Sequence, residues 1–277
     1  MATLIVGYDS AWTAGKCGAV TAVALADDGS TRSLGSPQSA NFDTARQVIH
    51  RWQQTTRPDR TVLLIDQPTI VTGVRNQRPV ENLVGSPVSK RRGGVQPAYT
   101  NKADMFGPDA PIWPFLKRFG GPADPRGPLD TVQVFETYPV LTLIAYGWLL
   151  PDSRKTGRLP KYNPEKRKQF RLDDWRFVCM AAADAAGLRG LAQHSEWLTA
   201  AATWPRPSKC DQDCLDACIC LLVGVDLCSR RECLMVGEMP TGYMVVPASD
   251  ILLAELTARC VKTQRTPAKW LQVFRLA

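Results

Sequence analysis

The sequence predicts an α/β protein whose mixed sheet joins an antiparallel three-strand meander to parallel strands, flanked by helices and interrupted by an irregular insertion. Three observations predict it. Residues 4–12, Leu-Ile-Val-Gly-Tyr-Asp-Ser-Ala-Trp, open with an apolar, β-branched run of the kind buried on both faces of a sheet. Two further strand-like segments follow it, separated only by a turn. Residues 61–68, Thr-Val-Leu-Leu-Ile-Asp-Gln-Pro, are solidly apolar, as strands in the middle of a sheet are.

Taken in order, residues 18–27 alternate and are β-branched, which predicts a second strand, and Asp27-Asp28-Gly29-Ser30 reads as a hairpin turn into a third strand at 31–40. Ala45, Val48, Ile49 and Trp52 recur at helical spacing, with Asp43 in the first turn, so 42–54 is expected to be a helix. From 69 to 130 proline and glycine recur and periodicity fades; this is read as an irregular basic insertion across the top of the sheet, with a helix at 113–119. Order returns with a strand at 131–139, a short apolar helix at 140–149 and a helix at 173–186. Ser208 with Asp211 three positions on resembles a capping box, and the body from Cys214 is apolar nearly all round, so the helix at 208–227 should be buried. Residues 230–277 are a C-terminal extension with an apolar helix near 251–260. The whole of 1–277 is expected to form a single domain.

Composition narrows the class. At 44% hydrophobic and 22% charged, the 277 residues suit a soluble globular chain and carry no signature of disorder. Neither a long apolar span nor a basic leader followed by a hydrophobic stretch occurs, which points to a cytoplasmic protein with no membrane role. Nine cysteines in no evenly spaced framework suit reduced thiols. Cys210, Cys214, Cys218 and Cys220 read as small buried residues on one helix rather than as zinc ligands from separate loops. A net charge of +8 favours a polyanionic partner.

The candidate site begins with acids. Asp9 and Asp66 each end a predicted buried strand, and the ends of neighbouring central strands lie about 5 Å apart. Carboxylates that close repel unless something positive sits between them. Each also has a structural reading: Asp9 closing a turn onto Ser10 or Thr13, Asp66 pairing with Arg75 or Arg78. Glu136 is a third acid at a strand end. Asp213 and Asp216 share a helix face; Asp216, deep among apolar neighbours, needs a dedicated partner. For a polyanion, Arg75, Arg78, Lys90, Arg91 and Arg92 are candidate phosphate contacts, with Trp113 or Tyr99 to stack on a base; Lys155 and Arg158 belong to a second basic segment at 151–171. Both segments read equally as solvated loops.

The order of these parts, a meander with an acid on its first strand, a helix, a fourth strand ending in acid and a late helix bearing aspartates, resembles RNase H-like domains. More narrowly, Gly7-Tyr8-Asp9, Ile65-Asp66-Gln67-Pro68, Phe135-Glu136-Thr137-Tyr138-Pro139, Asp213-Cys214-Leu215-Asp216-Ala217 and Gly242-Tyr243-Met244-Val245-Val246-Pro247 look like the motifs of an uncharacterised family of predicted RNase H-like nucleases. The basic insertion and the cysteine-rich late helix depart from that pattern. The resemblance implies an RNase H-like mixed sheet and a metal-dependent nuclease that hydrolyses nucleic-acid phosphodiester bonds, in DNA or RNA. It further implies Mg2+ or Mn2+ held by Asp9, Asp66, Glu136 and Asp216, with Asp213 as the alternate last ligand. The alternative from another class is a non-catalytic nucleic-acid or protein-binding module of the same fold. A histidine-based triad is poorly supplied, with only His50 and His194 present, and neither a nucleophile elbow nor a phosphate-binding glycine loop occurs.

Overall fold

The two apolar segments that end in Asp9 and Asp66 lie side by side at the centre of a sheet in the computed structural model, which describes residues 2–128 and 130–276. Leu129, at the end of the predicted insertion, and the two terminal residues lie outside the described residues. The chain runs β1 (Ala2–Asp9), β2 (Gly18–Ala26), β3 (Thr31–Ser33), β4 (Gln38–Ala40), α1 (Phe42–Thr56), β5 (Arg60–Asp66), α2 (Pro79–Lys90), α3 (Ala103–Phe106), α4 (Ile112–Arg118) and β6 (Val132–Glu136). It continues through α5 (Pro139–Ala145), α6 (Leu172–Gly187), α7 (Ala192–Ala202), α8 (Lys209–Cys228), β7 (Cys233–Glu238), β8 (Gly242–Pro247), α9 (Asp250–Lys262), α10 (Pro267–Trp270) and β9 (Leu271–Phe274).

The main sheet follows the path β3-β2-β1-β5-β6, with β4 also on β2. β1 and β2 are antiparallel, whereas β1–β5 and β5–β6 are parallel, so the molecule is an α/β protein with a mixed sheet flanked by helices. The third meander strand, expected as one piece over 31–40, is two short strands on the same neighbour. Gly35, with φ 117°, and Pro37 interrupt the ladder between them.

Strand alternation sorts the core. Leu4, Val6, Tyr8, Leu63 and Ile65 pack against Ala45 and Ile49 of α1 and Phe115 of α4. Ile5 and Leu64 face the other way, against Gly224 of α8. The contact there is unusually close: a Cβ on Gly7 would stand 2.2 Å from the Ala217 carbonyl oxygen. Since Gly224 lies over Ile5 and Ala217 over Gly7, α8 runs back along β1 and brings its N-terminal half over the strand ends that carry Asp9 and Asp66. Its start is fixed by the expected capping box, Ser208 and Asp211 satisfying each other's backbone N–H.

Several elements were not anticipated, α2, α7 and a second sheet chief among them. The insertion is not wholly irregular, because it contains α2, with Pro79 at the first turn and Val80, Leu83, Val84 and Val88 buried. Gly85 and Pro87 inside α2 hide that face from a propensity reading. α7 follows α6 after a short turn. The extension holds a second sheet, β8-β7-β9, in which β8 and all of β7 but its last residue, Glu238, are buried and so show no alternation. Among the described residues no helix is long and apolar enough to cross a membrane.

Candidate functional site

Asp9 and Asp66 are direct neighbours across parallel β1 and β5. Ile5, Gly7 and Leu64 face α8, and by the two-residue period of a strand so do both acids. Asp9 is buried and Asp66 half-buried, and among the described residues neither carboxylate has a hydrogen-bonded side-chain partner or an ion pair. Burial, then repulsion from Asp66, Asp216 and Asp213, pushes the Asp9 carboxyl well above the ordinary range, against the pull of Lys209. Burial and the charges of Asp216 and Glu136 do the same to Asp66.

The facing surface comes from α8. Lys209, Gln212, Asp213 and Asp216 fall at helical spacings of three and four, and so line one stripe. Lys209 Nζ donates to Asp213. Asp216, buried, accepts from Tyr162 Oη at 2.8 Å and from Gln212 Nε2 at 2.5 Å, the dedicated partners its position demands. Burial lifts its carboxyl to about 6, although Lys209 and the two hydrogen bonds hold it down. The Lys209 ammonium is opposed by burial, yet the fields of Asp9, Asp213 and Asp216 outweigh that and raise its pKa.

Glu136 stands apart from this group. It is level with Ile65, one residue short of the Asp9–Asp66 pair. Both of its oxygens are taken by Arg78, at 2.6 and 2.8 Å, and the Thr69 backbone N–H donates a third bond at 2.9 Å. Arg78 also donates to Glu81 at 2.8 Å and to the Ile70 carbonyl at 3.1 Å. Glu136 therefore corrects the expectation of a free metal ligand, and Arg78 that of a phosphate contact: the two neutralise each other in a buried lock between β6 and the start of α2.

The remaining basic candidates are also largely occupied. Arg91 is buried and, with Lys90, pairs with Glu255. Arg92 pairs with Asp152 and Arg158 with Asp174. Arg75 and Lys155 are exposed and stand outside the acid-lined cavity. Trp113 donates its indole N–H to the Gly107 carbonyl and Tyr99 carries Lys102 over its ring; neither reaches the cavity.

That cavity measures about 830 Å³ and is lined by Asp9, Asp66, Glu136, Asp213 and Asp216 together. Its cations are Lys16, Arg78, Arg92, Lys161, Lys166 and Lys209. Lys209 was legible in the sequence, four residues before Asp213 on the same predicted helix. Trp12, Tyr138 and Tyr162 also line it; Tyr138 lies within the quoted motif at 135–139, whereas no periodicity or motif marks Tyr162. Among the described residues no three His, Cys, Asp or Glu side chains stand in an arrangement that holds a metal ion, so the acids share a cavity and a field without forming a coordination shell.

The chain matches no family model, no curated protein and no solved structure. What it does rests on its own geometry: an α/β fold in which two central strand ends and one buried helix direct four aspartates into a single cavity.

Proposed function

We propose that this chain is a metal-dependent nuclease of RNase H-like architecture, hydrolysing nucleic-acid phosphodiester bonds at the cavity lined by Asp9, Asp66, Asp213 and Asp216. The observation that carries the reading is the register pairing of Asp9 with Asp66, two acids that face α8 with no side chain holding either. When ionised, such a pair raises the free energy of the folded chain unless a cation joins it.

The donor chemistry, carboxylate oxygens throughout, suits a hard divalent ion, although the side chains would have to draw closer to coordinate it. Asp9 and Asp66 would hold it, with Asp216 oriented by Tyr162 and Gln212 and Asp213 available once Lys209 lets go. A bound Mg2+ or Mn2+ supplies Lewis acidity toward a phosphate oxygen and makes its water a better nucleophile. Glu136 enters as a positioning residue, fixing the end of β6 through Arg78. Lys16 and Lys166, exposed at the cavity and unpaired among the described residues, would draw in the phosphate backbone.

One observation favours a second reading, a non-catalytic nucleic-acid or protein-binding module. Lys209 already supplies a cation to the acidic group, as a fold that had given up a metal would require. Incubation of wild type with single-stranded, duplex and hybrid substrates in Mg2+ or Mn2+ separates the two. Cleavage that disappears in folded Asp9→Asn and Asp66→Asn supports the nuclease; no cleavage of any substrate with either metal leaves the binding module.

A further inference from the structure

Trp12 sits three residues beyond Asp9 in a backbone conformation that bulky side chains rarely take. Its φ is 60°, and the Thr13 N–H bonds back to the Ala11 carbonyl at 2.7 Å, so the indole stands at the centre of a tight three-residue turn of the strained, positive-φ kind. Strain of this sort persists only where the surroundings enforce it, and it concentrates at ligand sites. Buried Phe106 of α3 meets the indole edge-on, ring centres 5.8 Å apart, and braces it. Yet Trp12 itself is only half-buried, and it lines the acid cavity. An aromatic ring held rigidly, at a conformational cost, and left partly uncovered is a stacking platform without an occupant among the described residues.

The cavity's dimensions and charge indicate what stacks there. About 830 Å³ is the volume of a small-ligand pocket, with room for a nucleotide or two and none for a double helix. Within a duplex both faces of each internal base are covered by neighbours, so a ring inside a cavity reaches a base that is unpaired and out of the stack. Hydrogen bonds tie the walls together: Tyr138 Oη donates to the Gly94 carbonyl at 2.7 Å, the Leu159 N–H to that of Arg91 at 3.0 Å, and Lys161 Nζ to that of Arg92. Exposed Lys16 and Lys166 lie along the same cavity and suit the phosphates of such a strand.

We infer that Trp12 is the base platform of this site and that the substrate is a single-stranded segment or strand end, one base of which stacks on the indole while its phosphate faces the aspartates. The inference rests on the nucleic-acid reading of the cavity and is independent of turnover. It is tested by the anisotropy of a labelled single-stranded dodecamer in Ca2+ and, separately, in EDTA, competed by the unlabelled strand, by its duplex and by the same strand with its bases removed. Trp12→Ala is expected to weaken binding by about 5- to 150-fold, the range of one lost base stack, while Trp12→Phe retains most of it. Trp12→Gly, which relieves the positive φ, should fold at least as stably as wild type and bind as poorly as Trp12→Ala. Undiminished binding by folded Trp12→Gly, equal competition by the duplex or the base-free strand, or no binding of any strand overturns the inference. Binding that depends on Trp12 with no cleavage by wild type would remove the nuclease and leave the platform; cleavage with KM unchanged in Trp12→Ala would do the reverse.

Discussion

Arg78 holds both carboxylate oxygens of Glu136, and this pair, not a metal, accounts for the acid at the end of β6. Burial, with a smaller push from Glu81, drives the Glu136 carboxyl above its ordinary range, and Arg78 with the Thr69 N–H draws it only part of the way back. Each partner is about 1% exposed at its side chain, so neither has water to turn to if the other is removed.

Arg78→Met is accordingly expected to destabilise the protein by about 3–5 kcal/mol, the usual penalty for stranding one half of a buried ion pair. Glu136→Gln should destabilise in the same direction, whereas Asp66→Asn should not. Urea unfolding midpoints decide between the roles. If Glu136→Gln left the midpoint unchanged and removed only a response to divalent ions, Glu136 would be a ligand after all.

The aspartates give the opposite signature. Asp9, Asp66 and Asp216 all bind their protons more tightly folded than unfolded, Asp216 at about 6 against an unfolded value of about 3.9. Their contribution to stability is present in full below about pH 4 and is lost as pH rises through 6 and beyond. The metal-free protein should therefore lose thermal stability over that window. Asp174 and Glu255, whose cationic partners lower their pKa values, act below it. Asp9→Asn should flatten the slope, and Mg2+ or Mn2+ should restore stability most at the alkaline end. A melting temperature that is flat from pH 4 to 8 in EDTA would contradict this account of the acids.

Lys209 is the chain's own counter-ion for the group. Lys209→Met should lower stability near pH 8 by about 1 kcal/mol, a modest effect because the side chain is 38% exposed and partly screened. The more telling result is the direction of metal dependence: with the ammonium gone, the same acids should bind a divalent ion more tightly and show a larger metal-induced rise in melting temperature. Calorimetric titration of wild type and variant with Mn2+ measures it, and a weaker affinity in the variant would show that Lys209 supports the ion instead of competing with it.

The sequence carried the strands and helices whose apolar pattern is local, β1, β5, α1 and α8 among them, because the period of a strand or helix is written in neighbouring residues. It also carried the pairing of Asp9 with Asp66, since two central strands that end in the same residue type suggest a shared level. It did not carry the fate of Glu136, which depends on Arg78 arriving from an insertion with no readable periodicity. Nor did it carry the hold of Tyr162 on Asp216, a contact between residues 54 positions apart. The basic runs misled for a related reason: Arg91 and Arg158 are matched by Glu255 and Asp174, and a count of cations in a loop says nothing of acids that fold against it.

The closeness of α8 to β1 makes the last prediction the most direct probe of how the fold builds the cavity. Gly7 has no room for a methyl group, because the added carbon would lie 2.2 Å from the Ala217 carbonyl and 2.5 Å from the Leu221 backbone nitrogen. Neither obstacle is a flexible side-chain tip, so the helix itself must move. Gly7→Ala should destabilise by about 1–3 kcal/mol, the range for overpacking a core. It should also carry Asp213 and Asp216 away from Asp9, weakening the repulsion that lifts the strand acids. The variant should therefore show both a lower urea midpoint and a shallower fall of stability between pH 4 and 8 than wild type. A lower midpoint with an unaltered pH slope would mean that α8 yields elsewhere along its length and that the spacing of the aspartates is set by something other than this contact.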